Sequence, residues 1–196
     1  MFAGYSMQYY GLAPARQPEP KPTPDPKPKP TKRDSSAPSQ FVSGWLYGTT
    51  LMDKRMDIMK CYKVSDDLTN TLYDAMEAYI SGDQKTGDAK MKDTKPLYET
   101  ALKGCDAEIT GAMKKIADQA DALIGRKDWD KIAKEIYDDN KVMIDRDVDL
   151  ELREWKQGVF FNSGMFAGNV EEIFIKNAPK EEQVTAMNEY ALFGPF

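Results

Sequence analysis

Proline stands at every second position from Pro18 to Pro30, with Glu19, Lys21, Thr23, Asp25, Lys27 and Lys29 between. Nothing else in the chain restricts the backbone so strongly. Each proline fixes φ near −65° and offers no N–H, and it pushes the residue before it to extended geometry. The run is therefore excluded from helices and from central strands, and polyproline II is predicted. Thirteen residues at about 3.1 Å each span roughly 40 Å. Prolines fall only on even positions, so no P-x-x-P occurs and an SH3-ligand role has no support. The run reads as a stiff spacer. It divides the chain into an aromatic N-terminal peptide (1–17), a Pro-rich spacer (18–40) and a body (41–196). The charge divides with it, because residues 1–40 carry six Lys/Arg against three Asp/Glu, while residues 41–196 carry 21 against 29.

The body has the three-and-four spacing of helices throughout. A first segment covers 39–63, with Phe41, Trp45, Leu51, Met52, Met56 and Met59 on its apolar side. Ser65 is a helix cap followed by acidic Asp66 and Asp67, and Leu68, Leu72, Tyr73, Met76, Tyr79 and Ile80 then share a face. Ser81-Gly82-Asp83 ends that helix. Residues 83–95 are polar and contain Gly87, so a loop is expected, with Pro96 at a first helical position. Cys105, Ile109, Met113, Ile116, Ala120 and Leu123 form a stripe closed by Gly125. Asp128 caps a helix carrying Trp129, Ile132, Ala133, Ile136 and Tyr137. Residues 144–176 read as one long helix or two, although Val148–Leu152 alternates as a strand would. Pro179 precedes a short last helix at 180–192. The expected fold is all-α: a bundle of five to seven helices with an extended Pro-rich N-terminal arm.

Two segments echo each other at an offset of 120 residues. Phe41-Val42-Ser43-Gly44-Trp45-Leu46-Tyr47-Gly48 and Phe161-Asn162-Ser163-Gly164-Met165-Phe166-Ala167-Gly168 share F-x-S-G-x-x-x-G. Glycine inside a helix costs about 1 kcal/mol relative to alanine. Two glycines four apart stand on one face and admit a second backbone. The first and last long helices are expected to cross at Gly44, Gly48, Gly164 and Gly168, within the chain or between chains.

The residue inventory excludes much chemistry. Without histidine there is no Ser-His-Asp or Cys-His nucleophile, no His-ligated zinc and no proximal haem histidine. Two cysteines cannot build a four-cysteine site. Asp145–Glu151 imitates the start of a calcium loop, but Leu150 replaces the glycine and Lys156 the closing glutamate. Gly82–Gly87 has phosphate-loop glycines, followed by Asp88-Ala89 where Lys-Ser/Thr is required. Adjacent carboxylates (Asp66/Asp67, Asp138/Asp139, Glu171/Glu172) point apart on helices. No catalytic residue, metal or cofactor is assigned. The net charge of −5 disfavours nucleic acid, and no run approaches 18 apolar residues, so no transmembrane span is expected. The methionines are expected mostly on apolar faces and Trp45, Trp129 and Trp155 as anchors.

Cys61 ends the first helical segment and Cys105 opens the later stripe. An antiparallel hairpin between them would bring the two together, and a bond there would add roughly 4 kcal/mol by chain entropy. The alternative is a pair of buried free thiols in a cytosolic protein. With Phe41, Gly44 and Gly48, these cysteines also carry a loose resemblance over 41–105. The segment resembles uncharacterised all-helical proteins of protists, which open with an aromatic-Gly-x-x-x-Gly helix and have a helical hairpin between two cysteines. The resemblance implies a disulfide-linked helical hairpin and no activity. A disulfide favours the mitochondrial intermembrane space or a secretory or extracellular setting over the cytosol.

The expected role is a non-enzymatic structural or accessory subunit of a larger assembly, with protein subunits as partners. Its anchors would be Phe2, Tyr5, Tyr9, Tyr10, Phe193 and Phe196. The alternative is a free secreted or surface helical module that binds a small apolar ligand or a protein.

Overall fold

The structure is a computed structural model that describes residues 33–179. Among the described residues there are seven α-helices and no strand. They are α1 (Ala37–Thr50), α2 (Arg55–Cys61), α3 (Asp66–Ser81), α4 (Gln84–Ala101), α5 (Ala107–Ile124), α6 (Trp129–Lys156) and α7 (Phe160–Asn177), with a 3₁₀ turn at Leu102–Gly104. The expected all-α bundle is present. The stretch from 1 to 32 and the expected helix at 180–192 lie outside the described residues, as do Phe2, Tyr5, Tyr9, Tyr10, Phe193 and Phe196.

The body begins earlier than its sequence suggests, because α1 starts at Ala37 with Pro38 in its first turn. Just before it, Arg33 is tied to α3. Its guanidinium donates to the Asn70 carbonyl (2.9 Å) and to Asp74 Oδ1 (2.7 Å), and Tyr73 Oη accepts the Asp34 N–H (3.1 Å). The segment expected over 39–63 is two helices. Leu51 takes φ +60°, and its N–H donates to the Tyr47 carbonyl, so the chain leaves the helix there and α2 starts afresh at Arg55.

The loop expected at 83–95 is helix. Asp83 accepts the Thr86 N–H (3.1 Å) and starts α4 two residues after α3 ends at left-handed Gly82. Gly87 and the polar flanks hide a real stripe: Gly87, Met91, Thr94, Tyr98 and Ala101 are the buried positions of α4. Gly87 is small because the Tyr79 ring of α3 lies against it. Pro96 sits inside the helix, not at its start.

α6 is a single helix of 28 residues, about 42 Å long. The alternating Val148–Leu152 segment is helical within it, with Ile144, Asp147, Glu151 and Trp155 facing inward at helical spacing. Gln157–Val159, with Gly158 at φ +76°, separates α6 from α7. Two apolar clusters result. The larger joins α1 to α5 with Trp155, Phe160 and Ala167. The smaller joins Trp129, Ile132, Ile136 and Ile144 of α6 to Val170 and Phe174 of α7. All three tryptophans are buried. The methionines divide: Met76, Met91 and Met113 are buried, while Met56, Met59 and Met143 are exposed, so the expectation of apolar faces fails for those three.

Candidate functional site

Two features stand out, the seam between α1 and α7 and the segment tied down by Cys61 and Cys105. In the seam the helices run parallel and their backbones touch. A Cβ on Gly44 would collide with the Phe161 carbonyl, and one on Gly164 with the Phe41 carbonyl. One turn on, Gly48 faces the Met165 carbonyl and Gly168 the Trp45 carbonyl. Between them, a Cβ on either of Gly48 and Gly168 would lie 3.1 Å from the other's Cα. These contacts are reciprocal at the same 120-residue offset as the sequence echo. The pair therefore has a local pseudo-two-fold axis passing between Gly48 and Gly168. Approach this close also favours weak Cα–H···O=C contacts along the seam.

The symmetry ends one turn further. At the equivalent of Leu51 stands Glu171, fully buried on α7. Its Oε2 accepts the Trp45 indole N–H at 2.6 Å, and Oε1 has no hydrogen-bond partner among the described residues. Burial disfavours the carboxylate, while the Trp45 bond opposes that shift, and the pKa is pushed up to about 8. Sequence reasoning missed this pair. The signal was present in the spacing, since Gly164, Gly168 and Glu171 continue one helical face. Asp147, also buried, has an exposed partner: Arg146 Nε donates to its Oδ1 at 2.8 Å.

Cys61 and Cys105 form a disulfide, with Cα atoms 4.8 Å apart. The bond ties the end of α2 to the turn before α5 and encloses the α3–α4 hairpin. Gly104 permits the approach, because a Cβ there would sit 2.9 Å from the Cys61 carbonyl oxygen. Beside it, Tyr62 and Tyr98 are buried with ring centroids 6.3 Å apart. Burial raises the pKa of both, and the Tyr62 hydroxyl has no hydrogen-bond partner among the described residues.

Large apolar side chains reach solvent on the same part of the body. Leu51 is 73% exposed, Met56 64% and Met59 48%. Arg55, on the same exposed face of α2 as Met59, lies 3.5 Å over the Phe161 ring, which in turn meets Tyr47. Val142 and Met143 are exposed separately on α6. Among the described residues no group of three or more Cys, Asp or Glu is arranged to hold a metal ion, and no helix is long and apolar enough to cross a membrane.

Compared with protein-family models, with curated proteins and with solved structures, the chain matches none of them.

Proposed function

We propose that this chain is a non-enzymatic structural or accessory subunit of a larger multi-subunit assembly. The helical body docks through apolar surface, and the N-terminal arm clamps a neighbouring subunit. The observation that carries this reading is the cluster of Leu51, Met56 and Met59 in solvent. Single exposed apolar residues are ordinary, but three within nine positions of one short segment offer apolar surface suited to a protein partner. Methionine adapts its shape to such a partner. Arg33, the first described residue, is held on α3 by Asn70 and Asp74, which supports a firm base for an arm that clamps a neighbour. The anchors in this reading are Phe2, Tyr5, Tyr9, Tyr10, Phe193 and Phe196. The Cys61–Cys105 bond supports a disulfide-permissive compartment, the mitochondrial intermembrane space or a secretory or extracellular one. The likeness of 41–105 to two-cysteine helical proteins of protists belongs to the same reading.

The test is native particle size after fractionation from the source organism under non-reducing conditions. Migration with a particle far larger than 22.2 kDa is expected, and deletion of residues 1–17 should weaken incorporation while the body stays folded. Migration alone at its own mass, or incorporation unchanged by the deletion, overturns the reading.

A further inference from the structure

Residues 51–64, which join α1 to α3, are held unlike the rest of the body. The helix in this segment, α2, has seven residues, and helices that short do not persist in water on their own. Its one buried residue is Ile58, and Tyr62 follows just beyond it. Both belong to the larger apolar cluster, with Val64 packed against it, and the remaining non-covalent ties are few. Lys54 Nζ meets Glu108 Oε2 at 2.7 Å, Arg55 lies over Phe161, and the Lys63 N–H donates to the Ala101 carbonyl at 3.0 Å. Exposed ion pairs such as Lys54–Glu108 add little. The strongest tie is Cys61–Cys105.

We propose that residues 51–64 form a redox-latched strap, which reduction of Cys61–Cys105 frees to swing off α4 and α5 while the other helices stay folded. The step needs a dithiol reductant. The dithiol gives up two electrons and two protons and closes to its own disulfide. The Cys61–Cys105 S–S bond breaks, and each sulfur takes one proton to become a thiol. Both cysteines are half-buried, not sealed, so a small dithiol can reach them.

Three observations make the opening local. First, the strap has a pivot at each end. Among the described residues Leu51 is the one non-glycine residue with positive φ, a conformation that strains an L-residue, and Ser65 starts α3 with its own cap. Second, the closed strap keeps the Tyr62 hydroxyl buried with no hydrogen-bond partner among the described residues, a penalty that water relieves on opening. Third, the four-glycine contacts between α1 and α7 and the α6–α7 cluster contain no residue of the strap, whose buried Ile58 and Tyr62 belong to the larger cluster alone. Opening would uncover Ile58, Tyr62 and Tyr98, and it would carry the exposed Met56 and Met59 away from the body. The inference does not depend on the proposed assembly role, because it is read on the isolated chain.

The test is tryptic cleavage of the full chain, oxidised and after dithiothreitol, with each site followed by mass spectrometry and free thiols counted by alkylation of a parallel sample. Lys54, Arg55, Lys60 and Lys63 report on the strap, and Lys131 and Lys134 of α6 report on the body. Reduction should speed strap cleavage about tenfold or more beyond any acceleration of the α6 sites, as expected for local opening. The double variant C61S/C105S should show the fast strap cleavage without reductant. Strap cleavage at the oxidised rate with both thiols titratable would overturn the proposal. So would strap and α6 sites accelerating by the same factor, which would make the disulfide a staple for the whole body.

Discussion

The α1–α7 seam and the strap hold equivalent ends of the two echo segments by opposite means. In the seam, four glycines remove side chains so that carbonyl groups of one helix rest on the Cα atoms of the other. The attraction is dispersion and desolvation summed over a long contact, and it depends on shape alone. In the strap, Leu51, Met56 and Met59 face water, Ile58 and Tyr62 are buried, and a covalent bond reinforces that short packed stretch. The echo shows where the two diverge. On α7 the pattern continues into helix and Glu171, whereas on α1 the helix stops at Leu51 and the chain turns toward Cys61. A backbone seam tolerates no added atom, and a cross-linked strap tolerates many changes but not the loss of its bond.

Removing the bond is the harshest test of the strap. C61S/C105S should lose about 4 kcal/mol of global stability, the chain-entropy value for a loop of this length, read as a lower urea midpoint. A loss under about 1 kcal/mol would show that packing, not the cross-link, dominates there.

The seam has a pH dependence of comparable size. Glu171 is held above its ordinary value of 4.5, at about 8. Below the ordinary value both folded and unfolded chains are protonated, so its contribution is fully present. As pH rises the unfolded chain ionises first, and stability falls until Glu171 itself ionises near 8. The loss over that window is on the order of 5 kcal/mol. E171Q should flatten this part of the stability profile and be the more stable form at pH 8. Parallel profiles for the two chains would show that Glu171 is ionised in the fold.

Gly44→Ala and Gly164→Ala sharpen the contrast. Each adds one carbon against a carbonyl that belongs to a helix backbone and cannot rotate away. Each should cost about 3 kcal/mol by thermal or urea unfolding. The smallest effect serves as the control. Gly111 of α5 has nothing within 4 Å of an added Cβ. Gly111→Ala should therefore stabilise the chain by about 0.5–1 kcal/mol through helix propensity. A destabilised G111A would mean that helix propensity does not govern the exposed face of α5.

Much of the fold was legible in the residues. Ser65 caps α3 as its type suggests, accepting the Leu68 N–H, whereas Asp128 stands at the start of α6 but its carboxylate accepts from Arg126 and caps no N–H. The Ile109–Ala120 stripe is buried as its spacing requires. Helix α4 was hidden because Gly87 and Pro96 are local breakers, and a partner's shape outweighed their propensity: the Tyr79 ring occupies the space a side chain at 87 would need. The exposure of Met56 and Met59 was hidden as well. Seven residues of helix give too short a pattern to say which face is covered, and the answer depends on where α4 and α5 lie.

The sequence by itself determined the helical periodicity, the Ser65 cap, the glycine echo and the exclusion of histidine chemistry. Each of these is a property of local backbone preference or of residue type. Only the tertiary structure decided that the echo closes within one chain, that Glu171 lies against Trp45, and that the end of α2 meets the turn before α5. Those are contacts between residues 44 to 126 positions apart. They are set by the packing of whole helices, which no local pattern encodes.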